Sequence, residues 1–263
     1  MDVHTPRSLD EALGLKAELP DARFVQGGTD VLVELNFDRS RPAALINLNE
    51  VPELRGFSAE GDALVLGAGL TYAEAMADPL AGHFPALAEA SRTVGSPQIR
   101  NRGTIGGNLG TASPAGDALP PLFIGGAEVC VASVRGERRV SIGEFILGVK
   151  KNALASDEIV VSVRMKPTGA RQTFMKVGPR NAMVISVCSL ALEVDRERGE
   201  IRAAFGSSAP TVRLVTASID EADSFPSRVS DAASPIDDVR GTAAYRRHAL
   251  RVLTGRALER CFA

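Results

Sequence analysis

Tryptophan is absent from this 263-residue chain, and Tyr72 and Tyr245 are its only tyrosines. So few flat aromatic faces leave little on which nucleic-acid bases could stack. An excess of one charge is lacking too. With 30 Lys and Arg against 32 Asp and Glu, the formal charge is −2, which gives no electrostatic pull toward nucleic acid. No apolar run approaches the ~20 residues of a membrane span. The opening MDVHTPRSLDEAL has neither a basic n-region nor an apolar h-region. The chain is therefore expected to be soluble and cytoplasmic. Cys130, Cys188 and Cys261 are far apart, odd in number and without a CxxC pair, so no zinc or iron–sulfur site is expected from this chain alone. Their apolar neighbours fit buried thiols in a reducing compartment.

Familiar catalytic signatures are missing as well. There is no GxxxxGK[ST], no GxGxxG closing a βαβ unit, no GxSxG elbow and no HExxH. His4, His83 and His248 are isolated, as surface or capping histidines would be.

What is present is a chain 44% hydrophobic and 24% charged, enough for a packed core in one large domain or two modest ones. Ser8 and Glu11 form an S-x-x-E capping box for a helix through about Leu19. A strand over 22–25 runs into Gln26-Gly27-Gly28-Thr29-Asp30, followed by a helix over 31–37 and a strand over 43–48. Strands are expected at 54–57 and 63–66 around the turn Glu60-Gly61-Asp62. Thr71 and Glu74 make a second capping box, and residues 84–93 read as a helix ending near Gly95. Apolar strands return over 127–134 and 158–165. Pro167-Thr168-Gly169 is the candidate domain boundary. Beyond it, 173–177, 184–194 and 201–207 suggest a three-stranded antiparallel sheet. Residues 224–234 read as loop, and a final helix over 242–260 carries Leu250, Leu253, Ala257 and Leu258 as its apolar stripe.

Two glycine-rich stretches carry the chemistry. In Gly27-Gly28-Thr29-Asp30, adjacent glycines permit positive φ and let backbone N–H groups approach a bulky anion, with a helix N-terminus behind them. A tight strand–helix turn without a ligand has the same requirement. Gly103-Thr104-Ile105-Gly106-Gly107-Asn108, continuing through Gly110-Thr111-Ala112-Ser113-Pro114, is denser in backbone and hydroxyl donors of the kind a pyrophosphate needs. Asp117 follows, suited to accept from a ribose or ribityl hydroxyl. Nucleotide-binding loops without an acid–base set are what a flavin holder shows, because the cofactor carries the redox chemistry.

These segments, with Gly95-Ser96-Pro97-Gln98-Ile99-Arg100-Asn101-Arg102 leading into the second and Ala112-Ser113-Pro114-Ala115-Gly116-Asp117 closing it, resemble the FAD-binding medium subunit of the xanthine dehydrogenase and carbon monoxide dehydrogenase family. Residues 235–246, Pro-Ile-Asp-Asp-Val-Arg-Gly-Thr-Ala-Ala-Tyr-Arg, resemble that family's closing segment.

The resemblance implies an α+β fold. Residues 1–166 would form a vanillyl-alcohol-oxidase/PCMH-type FAD-binding domain with subdomains of about 1–52 and 53–166. Residues 169–263 would form a smaller flavoprotein-like domain. A noncovalent FAD would have Gly27, Gly28, Thr29, Asp30, Thr104, Gly107 and Asn108 around its pyrophosphate. Thr111, Ser113 and Asp117 would reach ribityl, ribose or phosphate oxygens. Ile159 and Val160 would meet the adenine side, and Lys176 the flavin ring. Val25, Gln26, Val31, Val94, Gly95, Ile99, Gly103, Gly106 and Gly110 complete the implied cofactor-binding set.

The implied partners are a large molybdopterin subunit, where substrate is hydroxylated, and a small [2Fe–2S] subunit. Together they would form a dimer of heterotrimers. The lack of a Cys-rich insertion disfavours the 4-hydroxybenzoyl-CoA reductase branch. Gly178-Pro179-Arg180-Asn181-Ala182 resembles the xanthine-dehydrogenase-like branch, so purine oxidation rests on analogy. Two other readings compete. One is a stand-alone flavin oxidase, for which only Lys176 and Arg180 are candidate substrate groups. The other is a non-catalytic FAD- or nucleotide-binding module. Arg246, Arg247, Arg251, Arg256 and Arg260 mark the last helix either as a subunit contact or as a solvated face.

Overall fold

The computed structural model describes residues 1–263 as three successive layered units, each organised around one principal sheet. The first is built from β1 (Asp2–His4), α1 (Leu9–Glu18), β2 (Arg23–Val25), α2 (Val31–Asn36) and β3 (Ala44–Asn47). Its strands are parallel, with β3 central between β1 and β2. Ser8 caps α1 by accepting from the Glu11 N–H, but the box is only half formed. The Glu11 carboxylate takes the N–H of Arg7 instead. α2 buries none of its residues; Glu34 in its middle ties it to Arg23 at 2.6 Å and to Lys150 at 3.4 Å.

The second unit begins with a correction. Residues 52–54 form a 3₁₀ turn opened by Pro52, so the strand expected at 54–57 starts only at its last residue. β4 (Phe57–Glu60) then pairs with β5 (Ala63–Gly67) through a turn in which Gly61 adopts φ +62°. The Thr71–Glu74 box is complete in both directions and starts α3 (Tyr72–Ala75), followed by α4 (Leu80–His83) and α5 (Pro85–Thr93). α6 (Pro97–Arg100), α7 (Ile105–Thr111) and α8 (Leu119–Ile124) lead to β6 (Glu128–Ser133) and β7 (Gly136–Ser141). After α9 (Ile142–Phe145), the short hairpin of β8 (Ile146–Gly148) and β9 (Lys151–Asn152) precedes β10 (Ile159–Met165). The sheet order is β4-β5-β10-β6-β7, with a bulge in β10 between Val160 and Ser162. α8 is a helix not expected from the sequence, and it carries Pro120 and Pro121, which would break a helix interior. In the first turn they have no N–H to waste, and every residue of this helix is buried.

The third sheet has four strands, not three: β11 (Arg171–Val177), β12 (Cys188–Asp195), β13 (Glu200–Gly206) and β14 (Arg213–Ser218), in that order. β14 is an edge strand that buries only Ala217, so it carries no apolar alternation to announce it. The stretch 224–234 is likewise not simply loop. It holds α10 (Phe225–Asp231), with Pro226 in its first turn and Phe225 and Val229 buried. α11 (Ala243–Phe262) starts on Thr242, whose hydroxyl accepts from the Tyr245 N–H.

Side-chain alternation lets this sheet serve two cores. Leu190, Leu192, Val194 and Phe205 face Leu250, Leu253 and Ala257 of α11 in one cluster. Phe174, Ala191 and Ala204 face the other way and join the larger cluster that includes α8. Each fully buried Leu here contributes roughly 1.5–3 kcal/mol relative to exposure. No helix is long and apolar enough to cross a membrane.

Candidate functional site

A cleft of about 380 Å³ opens between β2 with its following loop on one side and α7 with the start of β10 on the other. The structure brings Val25, Gln26, Gly27, Gly28, Thr29, Asp30 and Val31 to it, together with Gly103, Thr104, Gly106, Gly107, Asn108, Gly110, Thr111, Ile159 and Val160. The bulge in β10 directly follows Ile159 and Val160, where a strand can be re-aimed.

Tight packing accounts for the first loop's conformation. A Cβ on Gly27 would strike the Arg102 carbonyl, so glycine lets the two loops touch, and Gly28 adopts φ +73°. The backbone N–H groups of Gly27, Gly28, Thr29 and Asp30 find no acceptor within the chain. Four consecutive donors without an acceptor at one end of a cleft are of the kind that can receive an anion. Thr111 Oγ1 donates to Asp30 Oδ2 at 3.1 Å and ties the two loops together.

The second stretch is less of a loop than its composition suggests. From Ile105 it is helix, and the Thr104 hydroxyl accepts the Gly107 N–H at 3.0 Å. The Gly106 N–H goes to the Ala68 carbonyl at 2.8 Å, so these donors are occupied by the protein itself. The glycines divide by role. A Cβ on Gly106 would meet that of Ala68 at 2.6 Å, whereas one on Gly107 would meet only Thr104 Oγ1 and one on Gly110 nothing within 4 Å. Packing does not require glycine at 107 or 110. Their missing side chains leave room that a bulky ligand could use.

A second polar region lies where α5 and the segment after α7 meet the third sheet. Lys176 Nζ donates to Asp117 Oδ2 at 2.6 Å and to the Thr93 carbonyl at 3.2 Å. Burial pushes the Asp117 carboxyl up to about 6, with Lys176 and the Thr93 hydroxyl pulling the other way without cancelling it. Asp117 Oδ1, Ser189 Oγ and Asn108 Oδ1 are buried without partners. Lys176 and Ser189 are register partners in the β11–β12 ladder. Buried polar groups are normally satisfied, so orphans of this kind suit a polar ligand. Val94, Gly95, Ile99, Ser113, Asp117 and Lys176 are not among the residues lining the 380 Å³ cleft.

Several lining residues have no motif to announce them: Lys16, Ala22, Arg23, Phe24, Leu48, Ala68, Tyr72, Leu154, Ala155, Ser156 and Glu158. Burial, with Asp117 and Asp30 nearby, raises the Tyr72 phenol. A hydrogen bond from Arg138 outweighs burial and holds the Glu158 carboxyl below its usual range. Only chain adjacency to Ile159 and to β2 could have flagged some of these residues.

The terminal arginines do not form one surface. Arg246 is 1% exposed, donates to the carbonyls of Val187 and Ser207, and pairs with Asp238 at 2.6 Å. Arg260 reaches Thr173 Oγ1 at 2.9 Å, and Arg247 the Ala233 carbonyl at 3.4 Å.

A family model described as the FAD-binding domain in molybdopterin dehydrogenase matches residues 1–167. The xanthine dehydrogenase FAD-binding subunit of Escherichia coli O157:H7 is 34% identical over 216 residues, covering 79% of this chain and 74% of its own length. The nicotinate dehydrogenase FAD-subunit of Eubacterium barkeri is 36% identical over 204 residues, 74% of this chain and 69% of that one. The solved carbon monoxide dehydrogenase from Hydrogenophaga pseudoflava contains a chain with TM-score 0.92 and 27% identity, covering 100% of this chain and 97% of that one. The chain therefore belongs to the FAD-binding-domain family of the molybdopterin dehydrogenases, as the flavin component of an oxidoreductase of the xanthine and carbon monoxide dehydrogenase type.

Proposed function

We propose that the chain is the electron-transfer subunit of a heterotrimeric molybdenum hydroxylase, placed between the [2Fe–2S] clusters of a small subunit and NAD or another acceptor. Its large partner would hydroxylate a purine or another N-heterocycle at molybdopterin, and two heterotrimers would pair in the cytoplasm. The observation that carries this is the cleft end at Gly27–Asp30, where four residues whose backbone donors have no acceptor in the chain line the same cleft as Gly107 and Gly110.

Gly27, Gly28, Thr29, Asp30, Thr104, Gly107 and Asn108 would hold the pyrophosphate of FAD. Thr111 in the cleft, with Ser113 and Asp117 outside its lining, would take ribityl, ribose or phosphate oxygens, and Lys176 would approach the ring. Ile159 and Val160 would border the base, with Val25, Gln26, Val31, Val94, Gly95, Ile99, Gly103, Gly106 and Gly110 framing the site. The bound flavin supplies one- and two-electron redox chemistry. The orphaned Asn108 Oδ1 and Asp117 Oδ1 are both acceptors and fit a ligand that brings hydroxyl or N–H donors. We also read residues 1–166, in subdomains of about 1–52 and 53–166, as one unit of the vanillyl-alcohol-oxidase/PCMH type, and residues 169–263 as another.

A stand-alone oxidase has little to draw on. Lys176 is already paired with Asp117, and Arg180 donates to the carbonyls of Ala182 and Met183 in its own loop. The test is purification of the native complex through a tag on this chain, with flavin extraction, an absorption spectrum and metal analysis. FAD with iron–sulfur absorbance, molybdenum and two further chains is expected. FAD without partners would favour the stand-alone enzyme, and a folded chain free of flavin would overturn the proposal.

A further inference from the structure

Lys16 lies in the last turn of α1, lines the cleft and is 8% exposed. Its ammonium donates to the carbonyls of Pro20 at 2.7 Å and Ala22 at 2.5 Å. It also lies 5.3 Å from the centroid of the Phe24 ring. An ammonium has three donors, so one N–H remains without a protein acceptor. Lys16 makes no ion pair; Asp21 and Asp157 act on it only through space. A buried cation without a carboxylate partner costs stability, and such groups concentrate where ligands bind.

The place of Lys16 along the cleft gives it a chemical object. β2 runs from Arg23 to Val25, so Ala22 and Gln26 mark its two ends, about 13 Å apart at roughly 3.3 Å per residue. The free donors of Gly27–Asp30 lie at the Gln26 end. Lys16 lies at the Ala22 end, with Asp157 close enough to act on it, beside the 154–160 segment whose Leu154, Ala155, Ile159 and Val160 contribute apolar lining. An extended dinucleotide with its pyrophosphate on the glycine loop would bring its base toward this apolar end. A purine base offers ring-nitrogen acceptors there, and an ammonium is a donor only.

On the flavin reading above, we propose that Lys16 is a specificity-determining residue that donates to the purine base of the dinucleotide and so selects FAD over FMN. It reads the half of the cofactor that FMN lacks. A Lys16→Met variant retains the apolar stem and loses the donor.

The experiment titrates the full chain, stripped of flavin, with FAD, FMN and ADP, following flavin fluorescence or heat. Lys16→Met should weaken FAD and ADP about tenfold, the loss of one good hydrogen bond, and leave FMN unchanged. Equal FAD affinity in wild type and variant overturns the proposal, as does an equal loss for FMN. Should Lys16→Met fail to fold for want of a donor to the Pro20 and Ala22 carbonyls, Lys16→Gln, which can serve one carbonyl but not reach the base, reports the same FAD-to-FMN ratio. A folded wild type that binds none of the three probes overturns the flavin reading and the role of Lys16 together. Wild-type binding with no variant effect removes the role of Lys16 alone.

Discussion

Lys176 Nζ lies 2.6 Å from Asp117 Oδ2 across 59 residues of sequence, with 6% and 7% of the two side chains exposed. The pair joins the segment after α7, at the end of the second glycine-rich stretch, to the third sheet. Removing either partner leaves the other charge buried. Lys176→Met and Asp117→Leu should each lower stability by about 3–5 kcal/mol, and the double variant by less than the sum. Urea unfolding in a double-mutant cycle measures this, and strictly additive losses would show that the pair is not coupled.

Acid should act on two carboxyls in opposite directions. Burial raises Asp117 to about 6, above its unfolded value of roughly 3.9, so the native state holds its proton longer. Its contribution to stability therefore declines as pH rises from about 4 to about 6. Asp238 is lowered to about 2: burial opposes ionisation, but hydrogen bonds from Arg240 and the charges of Arg240 and Arg246 prevail. Its contribution is present above about pH 4 and is lost as pH falls toward 2. Melting temperatures of wild type, Asp117→Asn and Asp238→Asn across pH 2–7 should show the first variant flattening the upper window and the second the lower.

Gly107 and Gly27 should separate binding from folding. Gly107→Val places a side chain in the open cleft and meets only Thr104 Oγ1 within the protein, so flavin binding should vanish at a stability change of about 1 kcal/mol or less. Gly27→Ala drives a Cβ into the Arg102 carbonyl and should destabilise the fold itself, by about 1–3 kcal/mol. Flavin content and thermal melts of both variants decide the matter; full flavin occupancy in folded Gly107→Val would refute the site.

Arg246 holds the segment 235–241 to the third sheet through Asp238 and the carbonyls of Val187 and Ser207. Arg246→Met orphans these acceptors and should cost about 3–5 kcal/mol. Limited proteolysis should then cut near Ile236–Arg240 well before the rest of the chain. An unchanged cleavage pattern would mean that other contacts hold the segment.

Much of the architecture was legible where one physical rule dominates locally. Thr71 and Glu74 satisfy each other's helix-end donors, so their spacing alone announces α3. The stripe of Leu250, Leu253, Ala257 and Leu258 announces α11 because a helix on a sheet must bury one face. β14 and α8 were not legible. An edge strand needs no apolar alternation, and prolines in a first turn look the same in sequence as prolines that break a helix.

The cleft divides in the same way. The two glycine segments stood out in the sequence alone, and glycine is the residue that most readily takes φ +73° at Gly28 and the close contact of Gly27 with the Arg102 carbonyl. That the Gly106 and Gly107 donors are spent inside the protein, while those of Gly27–Asp30 find no acceptor in it, emerges from the folded chain. The tertiary structure alone brought Lys16 to the far end of the cleft and Asp117 to Lys176. Local sequence sets which backbone shapes are allowed. Which donors, acceptors and charges meet one another depends on chain segments tens of residues apart, and packing them together is what settles it.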